Sequence, residues 1–170
     1  GTLSIGPSGS QDIVGTCSVG TTDSAWANGS TGKLNSSLNF DGNDDYLSIG
    51  STFSYTKTLS FWAKPTSTTQ KIIELSASNS IEISSGTVTV TGFGTETVYV
   101  DGQLSSSFPD TNWHHITVVS SSDITANTPN IGKVSTNYYS GQIDDVKIFN
   151  YALTSEQVKT LYNNGAVSFN

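Results

Sequence analysis

The chain has 170 residues, no Arg, no Met and only 12% charged residues, but 28 Ser and 23 Thr; such a composition suits β-strands and hydroxyl-lined loops better than helices. Seven Lys against 14 Asp and Glu leave a formal net charge of −7, which repels phosphate backbones and anionic lipid and argues against nucleic acid and membrane surfaces as partners. No run of about 18 apolar residues offers a membrane-inserting helix, and the length suits one domain, 1–170, with a two-sheet core. Cys17 is the lone cysteine, so no intrachain disulfide can form; it reads as a small buried apolar residue, with an interchain bridge as the alternative. No charged-then-apolar leader opens the chain, which reads as a mature or excised piece of an exported protein.

From Gly1 to Gly32, Gly, Ser and Thr dominate, and long loops around one or two short strands are expected, with Trp26 the only large aromatic. Alternation then predicts strands at Leu38–Phe40, Tyr46–Ile49, Leu59–Lys64, Lys71–Ser76, Ser80–Ser84, Thr87–Thr91, Thr97–Val100, His114–Val119, Asn130–Lys133 and Gly141–Asn150. Short strands separated by Gly, Ser and Asp turns predict an all-β, two-sheet antiparallel sandwich. In Leu59–Lys64, Phe61 and Ala63 share the apolar face with Leu59, so Trp62 points the other way and should pack under the C-terminal helix or a loop. That helix is predicted at Ser155–Asn163. Thr154 is the N-cap, Gln157 completes a capping box, Leu153 and Val158 form a hydrophobic staple, and Gly165 can end it.

Several of these segments carry a resemblance. The run Gly141-Gln142-Ile143-Asp144-Asp145-Val146-Lys147-Ile148 through Asn150, Ala152-Leu153-Thr154 and Gln157-Val158 resembles the closing signature of the LamG-like jellyroll domains of the concanavalin A-like lectin/glucanase superfamily. Leu38-Asn39-Phe40-Asp41-Gly42-Asn43-Asp44-Asp45-Tyr46-Leu47 and Thr58-Leu59-Ser60-Phe61-Trp62-Ala63-Lys64-Pro65 resemble two further elements of that family, and Asn112-Trp113-His114-His115-Ile116 and Asn130-Ile131-Gly132 two more. The resemblance implies a jellyroll closed by one short helix. Val98-Tyr99-Val100-Asp101-Gly102 stands before Trp113-His114-His115, whereas most relatives have that hairpin after it. The family's opening strand also has no counterpart, and the unpaired edge this implies would be a template for a strand from another chain.

Enzymatic chemistry finds little support in the residues. Glucanases of the superfamily set two carboxylates on one strand face, but none of Glu74, Glu82, Glu96 and Glu156 has an acid two residues later, and adjacent Asp144 and Asp145 diverge on a strand. No catalytic residue is assigned. His114 and His115 likewise diverge and lack further His or paired Cys, so structural roles are expected for both. The Asp-rich turns allow two readings: Asp bonding its own backbone, or a hard-oxygen calcium site. For the latter the resemblance implies Asp41, Asp44, Asp45, Asp144 and Asp145 as ligands. A sugar needs an aromatic plane beside hydrogen-bonding loops. Trp26, Phe93, Phe108, Tyr138 and Tyr139 fall in loop-like stretches, with Tyr138 and Trp26 the best placed to be exposed. The expected role is a non-catalytic extracellular binding or adhesion module of a bacterial surface protein, recognising a glycan or a surface protein. The rival is a structural unit of a pilus-like or fibrous appendage that packs against its own copies.

Overall fold

Period-two alternation of apolar and polar side chains gives each strand one dry face, and the tertiary fold stacks two sheets so that these faces meet. The computed structural model describes residues 3–5, 26–27, 32–34, 36–127 and 129–163. In chain order the strands are β1 (Leu3–Ile5), β2 (Trp26–Ala27), β3 (Ser37–Asp41), β4 (Leu47–Ile49), β5 (Phe53–Pro65), β6 (Gln70–Ser76), β7 (Asn79–Ser84) and β8 (Thr87–Thr91). They continue as β9 (Glu96–Val100), β10 (Gln103–Leu104), β11 (His114–Ala126), β12 (Asn130–Ile131), β13 (Lys133–Val134), β14 (Asn137–Tyr138) and β15 (Ser140–Phe149), before α1 (Ser155–Tyr162). Among the described residues no helix is long and apolar enough to cross a membrane.

One sheet runs β1-β4-β12-β6-β13-β14, with β7 added to β6 and β8 to β7; the other runs β10-β9-β11-β5-β15-β3-β2. Pairing is antiparallel except for the short contact of β13 with β6. The N-terminal strands β1 and β2 cover the edges of β4 and β3 respectively. Register aligns Leu47, Ile131, Ile73 and Ile81 across the first sheet, and Val100, Ile116 and Phe61 across the second. Phe61, Ile116 and Ile81 are fully buried, and each such side chain contributes about 1.5–3 kcal/mol of transfer free energy. This is the two-sheet sandwich that the alternation predicts.

Two strands are longer than the sequence suggests. β5 begins at Phe53 and β11 runs on to Ala126, where the two pair through register shifts. Hydroxyl-rich stretches and a left-handed Tyr55 (φ 64) hide this extension from a periodicity argument. Conversely, Gly132 divides the predicted Asn130–Lys133 strand; its φ is +85, and a Cβ there would lie 2.4 Å from the Phe40 ring.

The outer face of the second sheet is covered by α1. Val158 and Leu153 bury against Val119, with Tyr99, Phe149 and Leu161 around them. The capping box is formed: Gln157 N–H donates to Thr154 Oγ1 (3.3 Å) and Thr154 N–H to Gln157 Oε1 (2.9 Å). Asn163 caps the C-terminus; Gly165, expected to end the helix, lies outside the described residues, as does Cys17. Trp62 packs under the helix end as expected, its ring 5.6 Å from that of Tyr162 and 5.0 Å from that of His115.

Candidate functional site

The outward face of the first sheet carries the polar partners of its core row, with Ser48, Asn130, Glu74 and Ser80 aligned across β4, β12, β6 and β7. Alternation from Leu47 and Ser48 sets Tyr46 on the face of Ser48, and β14 delivers Tyr138 next to Lys133 by direct pairing. The Tyr46 and Tyr138 rings stand 6.2 Å apart at 51°. Lys133 Nζ lies 4.2 Å from the centre of the Tyr46 ring and 5.0 Å from that of Tyr138, within cation–π range of both. Beside them opens a cleft of about 340 Å³ lined by Tyr46, Ser48, Thr52, Asn127, Asn130 and Lys133. Among the described residues, the side chains of Ser48, Thr52, Asn127, Asn130 and Lys133 make no hydrogen bond or ion pair, so their donors and acceptors are left for solvent or a ligand.

The turn before Tyr46 gathers carboxylates. Asp41 Oδ1 accepts from Asn43 N–H (2.7 Å) and Oδ2 from Asn43 Nδ2 (3.0 Å), and these bonds hold its carboxyl below the usual carboxylate range. Asp45, nearly buried, accepts from Asp41 N–H at 3.2 Å. One oxygen from each of Asp41, Asp44 and Asp45 lies within 4.8 Å of the others, a donor set that fits a hard divalent cation.

Residues 20–159 match the family Laminin_G_3 of the concanavalin A-like lectin/glucanases superfamily. The chain belongs to this superfamily. A solved structure similar to this concanavalin A-like domain is Domain 4 of AbnA, a GH43 extracellular arabinanase from Geobacillus stearothermophilus, in complex with arabinotriose. It is 20% identical over 81% of this chain and 80% of that one, with a TM-score of 0.48. No curated protein matches.

Within this superfamily fold the expected site residues separate. Tyr138 is half-buried beside Lys133 and Tyr46, while its neighbour Tyr139 is fully buried, edge-on to Phe40 at 6.0 Å, with its hydroxyl donating to Gln142 O (3.2 Å). Burial pushes the Tyr139 phenol well above its ordinary value. Phe93 and Phe108 are 2% and 1% exposed and belong to the core, so neither these two nor Tyr139 can offer a ring face to a ligand. Each lies between strands rather than within one, yet its ring joins the main core cluster, which a loop-like sequence does not reveal. Trp26 pairs with Leu38 through its backbone, and its side chain lies outside the described residues.

Asp144 and Asp145 do not join the acidic turn. Asp41 pairs with Ser140, and four residues along β15 puts Asp144 about 13 Å away along the strand. Asp144 accepts instead from Leu34 N–H and Asp145 N–H, each at 2.7 Å, and Asp145 ion-pairs with Lys147 in a bulge where its φ is 51°. The histidines diverge as adjacent strand residues must. His114 bridges Asp101 (2.6 Å) and Asp110 (3.0 Å), whereas His115 is buried with Nε2 2.9 Å from Ser60 Oγ. Neither belongs to a metal-ligating cluster among the described residues. Sequence reasoning did not single out Tyr46, Asn130 and Lys133 as candidates. Alternation marks Tyr46 and Ser48 as facing away from Leu47, but only the sheet order brings them to Lys133.

Proposed function

We propose that this chain is a non-catalytic carbohydrate-binding module acting outside the cell, with the cleft of Tyr46, Asn130 and Lys133 and the adjoining Tyr138 ring as its glycan site. The observation that carries this reading is a pair of tyrosine rings beside a cleft whose amide, hydroxyl and ammonium groups make no hydrogen bond or ion pair among the described residues. A pyranose presents C–H faces to rings and hydroxyls to such groups. The superfamily includes lectins and glucanases, and the sequence has no two acids two residues apart of the kind a glucanase sets on one strand face, which favours the lectin side. The turn of Asp41, Asp44 and Asp45 is proposed to hold one calcium ion that stiffens the approach to Tyr46. Presentation on a bacterial surface protein is the setting in which such a module serves adhesion.

The test is titration calorimetry or an oligosaccharide array. Micromolar to millimolar binding that weakens about tenfold in Tyr138→Ala and in Tyr46→Ala, at unchanged thermal stability, is the expected result. Binding indifferent to both substitutions would remove the cleft from the proposal. A second reading, packing against copies of the same chain, is favoured by Leu104, which is 73% exposed beside an open groove between β8 and β9–β10. Concentration-dependent sedimentation lost in Leu104→Ser would support it, and a monomer at all concentrations would exclude it.

A further inference from the structure

We infer that the cleft selects acidic glycans, and that Lys133 receives the carboxylate of a uronic acid residue; this rests on the reading of the cleft as a glycan site. Acids outnumber lysines two to one in this chain, and Lys57, Lys71 and Lys147 each hold a carboxylate. Lys133 holds none among the described residues, and instead stands between two tyrosine rings. The rings hold the ammonium electrostatically without using its three N–H donors as a carboxylate would, so it keeps its capacity for an anion. Glu74, paired through β12 with the cleft residue Asn130, could have quenched it. Its carboxylate instead accepts from Ser135 N–H at 2.6 Å and forms no ion pair with Lys133.

The rest of the lining fits a sugar carrying one charge rather than a bare anion. Asn127, Asn130, Ser48 and Thr52 supply both donors and acceptors, as hydroxyls need, whereas an inorganic anion needs donors only. The net charge of −7 opposes any anion at long range, but beyond about 8 Å that field is screened at physiological salt, and the contact with Lys133 is not.

The experiment compares uronate-containing oligosaccharides, their methyl esters and neutral arabino- and gluco-oligosaccharides by calorimetry against the intact chain, Lys133→Met, Lys133→Arg and Tyr138→Ala. The acid forms are expected to bind about tenfold more tightly than their esters, as one charge-assisted contact at a half-exposed site provides. Lys133→Met should erase that ratio, and Lys133→Arg should keep it. Esters or neutral sugars binding as tightly as acids, or a ratio that survives Lys133→Met, overturns the inference while a Tyr138 dependence leaves the glycan site standing. Absence of binding by every oligosaccharide overturns both.

Discussion

Lowering the pH is expected to remove stability through His115, by an amount set by where its ring sits. His115 is 2% exposed, with Trp62 at 5.0 Å and Tyr162 at 6.0 Å, on the sheet face that α1 covers. Burial, reinforced by the Lys147 charge and only partly opposed by Asp101 and Asp145, lowers its pKa from 6.5 to about 4. The unfolded chain therefore takes up the proton first. Stability from this group is complete above about pH 6.5, is lost as the pH falls toward 4, and is constant below that. The gap between 6.5 and about 4 corresponds to on the order of 3 kcal/mol. His114 acts in the opposite sense. Burial would lower its pKa, but the hydrogen bonds its ring N–H groups donate to Asp101 and Asp110 outweigh that and raise it above 6.5, so its contribution is present below pH 6.5 and lost as the pH rises through the folded value. The assay is urea unfolding, followed by tryptophan fluorescence and circular dichroism, of the native chain and His115→Phe between about pH 7 and pH 4.5. Phe keeps a ring between Trp62 and Tyr162 and abolishes the titration, while carboxylates common to both proteins cancel in the difference. The stability difference between the two should shift by most of that 3 kcal/mol in favour of the variant as the pH falls. Parallel stability curves for the two proteins would refute the argument.

Three other outcomes follow from the geometry. Gly132→Ala should lower stability by about 2–4 kcal/mol, because the backbone is left-handed there and the new methyl meets the Phe40 ring; chemical denaturation measures it, and a change within 0.5 kcal/mol of zero would contradict the close packing. Thr154→Ala should cost about 1 kcal/mol through loss of the Gln157 N–H acceptor, read as a lower Tm, with Thr154→Ser restoring most of it. Millimolar calcium should raise Tm relative to chelator in the native chain, and Asp45→Asn should abolish that rise; identical melting in calcium and chelator would leave the Asp41 turn as turn chemistry alone.

Local rules settled a good part of this architecture before any tertiary contact is considered. Alternation in Leu59–Lys64 sorts Phe61 inward and Trp62 outward, Thr154 and Gln157 start α1 where their side chains can reciprocate, and Asp41 and Gly42 turn the chain after β3. Each depends on residues within four positions of one another, so the sequence is sufficient. The site was decided otherwise. Tyr46 and Tyr138 are distant in the chain and meet because β4 and β13–β14 share a sheet through β12 and β6. The acids divided for the same reason: Asp41, Asp44 and Asp45 converge within one turn, but Asp144 and Asp145 are held by Leu34 and Lys147 farther along β15. Likewise Phe93, Phe108 and Tyr139, polar in neighbourhood, are buried because the joints between strands that carry them turn their rings into the core cluster. Side-chain parity and capping are short-range consequences of backbone geometry, whereas strand order and the path of covering segments are set by how all the apolar faces are removed from water at once.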